Sequence, residues 1–129
     1  MADITTKRDD ARQEGILIDV KLAASVILYA GTLVSANSSG LAKKGSDTSG
    51  EILLGVAMET VDSTKKSYIR VWREGVFDFD CSGADQTWVG QNVYIVDNHT
   101  VALAATTTND VLVGRVIGFN SATSVRIKI

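Results

Sequence analysis

Residues 67–80 read Ser-Tyr-Ile-Arg-Val-Trp-Arg-Glu-Gly-Val-Phe-Asp-Phe-Asp, and polar and apolar side chains trade places along most of that run. Successive side chains of an extended backbone leave opposite faces, so a period of two over this length calls for half-buried antiparallel strands. Tyr68, Arg70, Trp72 and Glu74 fall in one row, and Ile69 and Val71 in the other. Beyond Gly75, which reads as a bend between two strands, Phe77 and Phe79 share one face opposite Asp78 and Asp80. The two Phe are expected in a core, and the two Asp in water.

The rest of the chain from Ile16 onward repeats the β signal in shorter pieces. Runs at residues 16–20, 25–29, 32–35 and 51–60 are rich in Val, Ile and Leu, and polar or glycine-bearing stretches at 37–40 and 43–50 break them. Gly55 inside the fourth run suggests a bulge. Asp97, Asn98 and His99 lie between 93–96 and 100–103 as the turn of a hairpin, and 106–110 is another polar loop. Strands over 111–119 and 124–129 close the chain. Residues 84–90 hold at most one helical turn, with Asp85 as its cap and Gly90 as its end. Short strands at even spacing predict an all-β domain, a small antiparallel sandwich or barrel, over residues 16–129.

Residues 1–15 differ from the rest. They mix acids and bases and contain few large apolar groups, too few to offset the entropy of ordering, so they are expected to form a flexible N-terminal arm. Thirteen basic against fifteen acidic residues leave a net charge of -2. That balance speaks against nucleic acid as a partner, since phosphate binding draws on a basic excess. The Lys43-Lys44 and Lys65-Lys66 pairs read as solubilising loop charges. Cys81 is the single cysteine, so no internal disulfide can form, which fits folding in a reducing cytoplasm. The opening residues lack the apolar stretch of a signal peptide, and the apolar run at 20–34 is interrupted and too short to span a bilayer; no membrane role is expected.

Catalytic and metal-binding constellations are missing from the pattern. His99 is the only histidine, so any Ser-His-Asp or Cys-His arrangement would depend on it, and its place in a polar turn explains it without one. One Cys and one His cannot make a zinc site. Asp78 and Asp80, two apart on one strand face, do not flank a substrate as a glycosidase pair does, and they read as solvated acids. No cofactor and no small-molecule substrate is expected, and the chain is not read as an enzyme. Trp72 is a large apolar group on a row with Arg70 and Glu74, which leaves two readings. Either both sheet faces are covered there, or Arg70, Trp72 and Glu74 belong to an interface with a partner, where Trp and Arg are enriched. Trp88 is expected to plug one end of the barrel. The chain has no proline to blunt its sheet edges, which favours an assembling protein.

Several segments together resemble a known family. They are residues 29–34 (Tyr-Ala-Gly-Thr-Leu-Val), Asn37 with Gly40, 47–50 (Asp-Thr-Ser-Gly) and 54–62 (Leu-Gly-Val-Ala-Met-Glu-Thr-Val-Asp). The series continues with 73–77 (Arg-Glu-Gly-Val-Phe), 89–97 (Val-Gly-Gln-Asn-Val-Tyr-Ile-Val-Asp) and 113–117 (Val-Gly-Arg-Val-Ile). In this order they are similar to tailed-phage head decoration, or capsid cement, proteins. The resemblance covers most of the chain beyond its first two dozen residues and consists of strands with their turns rather than catalytic motifs. It implies a β-tulip-like domain, usually a homotrimer, that binds the major capsid protein on the outer surface of the virion after the shell expands. It also implies an N-terminal arm that adds to the capsid contact, here with Ile4, Lys7, Arg8 and Arg12 as its contact residues. Other virion parts, such as a tail tube or head-tail connector, share the all-β character. A carbohydrate-binding sandwich using Trp72 or Trp88 as a stacking platform is the reading from another class.

Overall fold

The computed structural model describes residues 15–129. The expected arm, with Ile4, Lys7, Arg8 and Arg12, lies outside the described residues except for the exposed Gly15. Twelve strands run β1 (Leu17–Lys21), β2 (Ile27–Leu28), β3 (Leu33–Ala36), β4 (Ala42–Lys44), β5 (Ile52–Ala57), β6 (Val61–Asp62), β7 (Tyr68–Trp72), β8 (Val76–Asp80), β9 (Asn92–Ile95), β10 (Val101–Ala102), β11 (Leu112–Ser121) and β12 (Ser124–Lys128). One 3-10 turn, Gln86–Trp88, precedes β9. The strands make two five-stranded sheets, β1-β7-β5-β3-β4 and β10-β9-β11-β12-β8, and a ribbon of β2 and β6. Every strand pair is antiparallel, and two isolated parallel bridges draw sheet edges together: Leu22 with Ala42 at the edges of the first sheet, and Asp80 with Thr100 at those of the second. The all-β expectation with one short helical turn holds.

Two cores lie on opposite sides of the first sheet. Leu33, Val56 and Trp72 pack into a large cluster with Phe79, Val93, Ile95, Val101, Val113, Val116, Val125 and Ile127 of the second sheet. Their chain neighbours Val34, Ala57 and Val71 face the other way, into a smaller cluster with Leu22, Leu28, Ala42, Val61 and Ile69. A strand buried on both faces reads as consecutive apolar residues instead of an alternation, which is what Leu33-Val34, Leu53-Leu54 and Val56-Ala57 show. The row assigned from the sequence to Tyr68, Arg70, Trp72 and Glu74 therefore changes character along its length. Tyr68 and Arg70 are exposed, whereas Trp72 is half-buried because the second sheet covers it.

The change of sheet happens at Gly75. β7 belongs to the first sheet and β8 to the second, and Gly75, at φ 149°, bonds through its carbonyl to Ile129 N (2.9 Å) as the chain crosses. Gly55 packs against the same end of β7: a Cβ there would sit 2.0 Å from Trp72 O, so only glycine lets the two backbones approach, at a bulge in the pairing with β3.

Three expectations need correction. The strand expected over 25–29 is only Ile27–Leu28, because Ser25 takes a left-handed turn conformation (φ 59°). Lys43 and Lys44 are not loop charges: both lie in β4, and Lys43 is half-buried against Glu51 and donates to Ser46 Oγ at 2.9 Å. Nor are the outer sheet edges unprotected. β1 carries Asp19 and Lys21, β4 carries Lys43 and Lys44, β8 carries Asp78 and Asp80, and β10 is two residues long. Charge and shortness here do what proline does elsewhere.

Phe79 is buried in the large cluster, while Phe77 is half-buried beside it, their ring centroids 6.3 Å apart. Phe79→Ala should therefore lower unfolding free energy by about 3–5 kcal/mol, and Phe77→Ala by clearly less, both measured by urea denaturation. Equal losses would contradict this division between centre and rim.

Candidate functional site

Two concave features mark the described surface. The first is built on β7. Arg70 directs Nε to Asp19 Oδ1 of β1 at 3.2 Å, a pair fixed by the cross-strand register Asp19 to Arg70. With Glu59, Lys66 and Tyr68 these residues surround a shallow depression of about 540 Å³. Tyr68 exposes more than half of its surface. Both members of the Arg70–Asp19 pair are solvated, so the pair orients the guanidinium but adds little stability. Glu74 is exposed at the crossover, and Trp72 is covered for most of its area by the large core. The structure thus groups Arg70 with Tyr68, Asp19, Glu59 and Lys66 in this depression, and Trp72 and Glu74 are not part of its lining. Tyr68 was visible in the alternating row; Asp19 and Glu59 come from other parts of the chain and carry no local signal.

The second feature is a groove of about 440 Å³ where the two five-stranded sheets meet, lined by Ile52, Leu53 and Leu54 of β5, Leu112 and Val113 of β11, and Arg73 and Ile129 at one end. Ile52 is 69% exposed and Leu112 50%, the former the most exposed large hydrophobic side chain described. A tie across the other end holds the loops on either side. Asp47 accepts from the backbone N–H groups of Thr108 and Asn109, both at 2.9 Å, and Asn109 Nδ2 donates to Asp47 O at 3.0 Å. Those backbone donors, Thr108 first, hold the Asp47 carboxyl below its ordinary value of 3.8. Behind the groove Glu51 accepts from Lys43 and from Ser46 Oγ (2.9 Å), which fixes the turn that leads into β5.

The remaining polar clusters do not assemble chemistry. His99 Nδ1 meets Asp80 Oδ2 at 3.1 Å and Thr100 Oγ1 at 3.1 Å, while Nε2 faces Asp97 Oδ1 at 3.6 Å. A nucleophile relay needs a hydroxyl and a carboxylate bonded to different ring nitrogens; here Thr100 and the bonded carboxylate of Asp80 share Nδ1, and Asp97 at 3.6 Å is too far from Nε2 for a hydrogen bond. Asp78 bonds Arg126 Nε and Asn120 Nδ2, each at 3.1 Å; the Arg126 bond first, then that of Asn120, keeps it ionised below the ordinary range, unsuited to donating a proton. Among the described residues no group of three or more His, Cys, Asp or Glu side chains is placed to hold a metal ion, and no helix is long and apolar enough to cross a membrane. Trp88 is buried on its Asp85-capped turn, so it offers no stacking platform for a sugar.

What the surfaces are for is narrowed by comparison with known proteins. The family model of phage cement proteins matches residues 12–129. The chain belongs to the phage cement protein family. No curated protein and no solved structure matches it. Family membership makes this a structural component of a phage capsid, as the resemblance implied. For this cement protein the Arg70 depression and the β5–β11 groove are two concave surfaces among the described residues.

The Asp47 tie has a pH signature. Because the folded carboxyl titrates below 3.8, its contribution is fully present above that value and is lost as pH falls through the folded pKa. Asp47→Ala should lower the melting temperature at pH 7, and the gap to the unaltered protein should close in strong acid. A gap that stays constant down to pH 2 would show that the carboxylate charge is not what holds the two loops.

Proposed function

We propose that this cement protein binds the outer surface of a phage head as a homotrimer and stabilises the expanded shell through its major capsid protein. The family match over residues 12–129 is the observation that carries this reading. Two parts of the chain are assigned the contacts. The N-terminal segment supplies Ile4, Lys7, Arg8 and Arg12 to the shell, and the β7 surface supplies Arg70 and Glu74, with the uncovered margin of Trp72, to the shell or to a neighbouring subunit.

The physical logic is multiplicity. Three arms on one trimer raise the effective concentration of the second and third contacts once the first is made, so contacts that are weak singly hold tightly together. A mix of Arg, Trp and Tyr with charges of both signs suits such a surface, since Arg, Trp and Tyr dominate binding hot spots and charges set register. The wide solvation of Arg70 means that it can be recruited to a partner at modest cost.

The test uses purified expanded heads and sedimentation. The full chain should pellet with heads saturably, and by itself it should sediment at about three times its 13.8 kDa chain mass. A form lacking residues 1–15, checked for an unchanged β spectrum, should bind heads at least about ten-fold more weakly, equivalent to roughly 1.4 kcal/mol. Arg70→Glu should weaken either head binding or the trimer. Unchanged head affinity in the shortened form removes the arm from the contact, and a protein that never pellets with heads removes the proposal.

A further inference from the structure

The groove between β5 and β11 holds an unusual pair of strand ends. Ile52–Leu54 of β5 pairs with β3 on one side only, because β7 pairs with β5 no further than Val56 and Ala57 before it leaves for the other sheet. Leu112 of β11 pairs with Tyr94 of β9, yet β12 reaches β11 only from Arg115 onward. Among the described residues each strand end therefore lacks a strand neighbour on one side, and both line the same groove. Every outer edge of the two large sheets is shielded by charge or shortness, but these inner ends carry Ile52, Leu53, Leu54, Leu112 and Val113. Backbone groups without a strand partner, beside apolar side chains, form a template for one more extended segment.

The chain supplies such a segment within reach. Arg73, which lines the groove, donates its backbone N–H to Ile16 O at 2.7 Å, so the described chain begins one strand over from β5, on the β1 side of β7. Among those residues the large apolar side chains are Met1 and Ile4, and Ile4-Thr5-Thr6 is a β-branched run with strong strand preference. Eleven residue steps separate Ile4 from Gly15, a reach of at most roughly 40 Å, ample for a return into the groove. The intervening residues 7–14 are charged or small and suit a solvated connection. Lys7 and Arg8, directly after the β-branched run, match Asp110 on the groove's lining.

We propose that the β5–β11 groove is a strand-docking site for the chain's own residues 3–6, with Ile4 seated between Ile52 and Leu112. The inference does not depend on the shell-binding reading. Where both hold, the same segment exchanges the groove for the shell, and the groove becomes its resting place on the unattached protein.

Disulfide trapping in the full chain tests this. In a Cys81→Ala background, Ile4→Cys is combined with Leu112→Cys or, as a second rim position, Ile52→Cys. The control pairs Ile4→Cys with Tyr68→Cys, which is exposed on β7 and also within reach of the segment. Under mild oxidation without heads, the two groove pairs should close at monomer mass about ten-fold faster than the control, as expected for a raised effective concentration. Equal rates at groove and control positions overturn the docking. Products at dimer mass whose yield rises with protein concentration overturn the same-chain assignment and make a second copy the occupant. Neither readout involves heads, so failure here is distinct from failure to bind a shell.

Discussion

The sheet formed by β1, β7, β5, β3 and β4 is covered on both faces, and most of the molecule follows from that constraint. Neighbouring residues such as Leu33 and Val34, or Val56 and Ala57, serve different cores, so β3 and the Gly55–Ala57 end of β5 have no solvent face to give up. Each fully buried aliphatic side chain contributes on the order of 1.5–3 kcal/mol, so Leu33 and Val34 of β3, Val56 of β5, and Ile69 and Val71 of β7 anchor the middle of that sheet. Solvated polar side chains stand on the flanking strands, Asp19 and Lys21 on β1 and Lys44 on β4, and on the uncovered start of β7, with Tyr68 and Arg70. Functional contacts must then come from the flanks, the loops and the places where the pairing is incomplete.

Incomplete pairing traces to one backbone event. β7 leaves the first sheet at Arg73 and enters the second at Val76, with Gly75 bonded to Ile129 at the crossing. That departure strips β5 of a neighbour over Ile52–Leu54, and β12, which ends at the same crossing, leaves the start of β11 unaccompanied. The groove is thus a geometric consequence of linking two sheets by one continuous strand. Its ends are held by different means: the Gly75–Ile129 pairing at one, and the Asp47 carboxylate accepting from Thr108 and Asn109 at the other.

A cement protein needs a rigid body and contacts that work by repetition, and the division of labour in this chain is consistent with that. The rigid part is two cores sharing a sheet. The adaptable part is at the surface, where Arg70, Tyr68 and Glu74 are solvated and Ile52 and Leu112 protrude. None of these groups is tied into an arrangement that would have to be broken at large cost before a partner could bind.

Local order was legible from the residues alone. The alternation at 67–80 placed Ile69, Val71 and Phe79 inside and Arg70, Asp78 and Asp80 outside; Asp85 announced the capped turn at Gln86–Trp88, and Gly75 the bend between strands. These features depend on period and on intrinsic conformational preference, which a strand carries within itself. The ordered series of strand-and-turn segments was enough for the family. Tertiary structure alone decided which strand lies beside which. It turned Trp72 from an apparently wet row into the covered side of a sheet, drew Lys43 out of a supposed loop onto Glu51, set Asp19 beside Arg70, and brought Ile52 opposite Leu112. A period of two specifies two faces but not what covers either one, because that depends on contacts between segments far apart in the chain, each reporting only its own pattern.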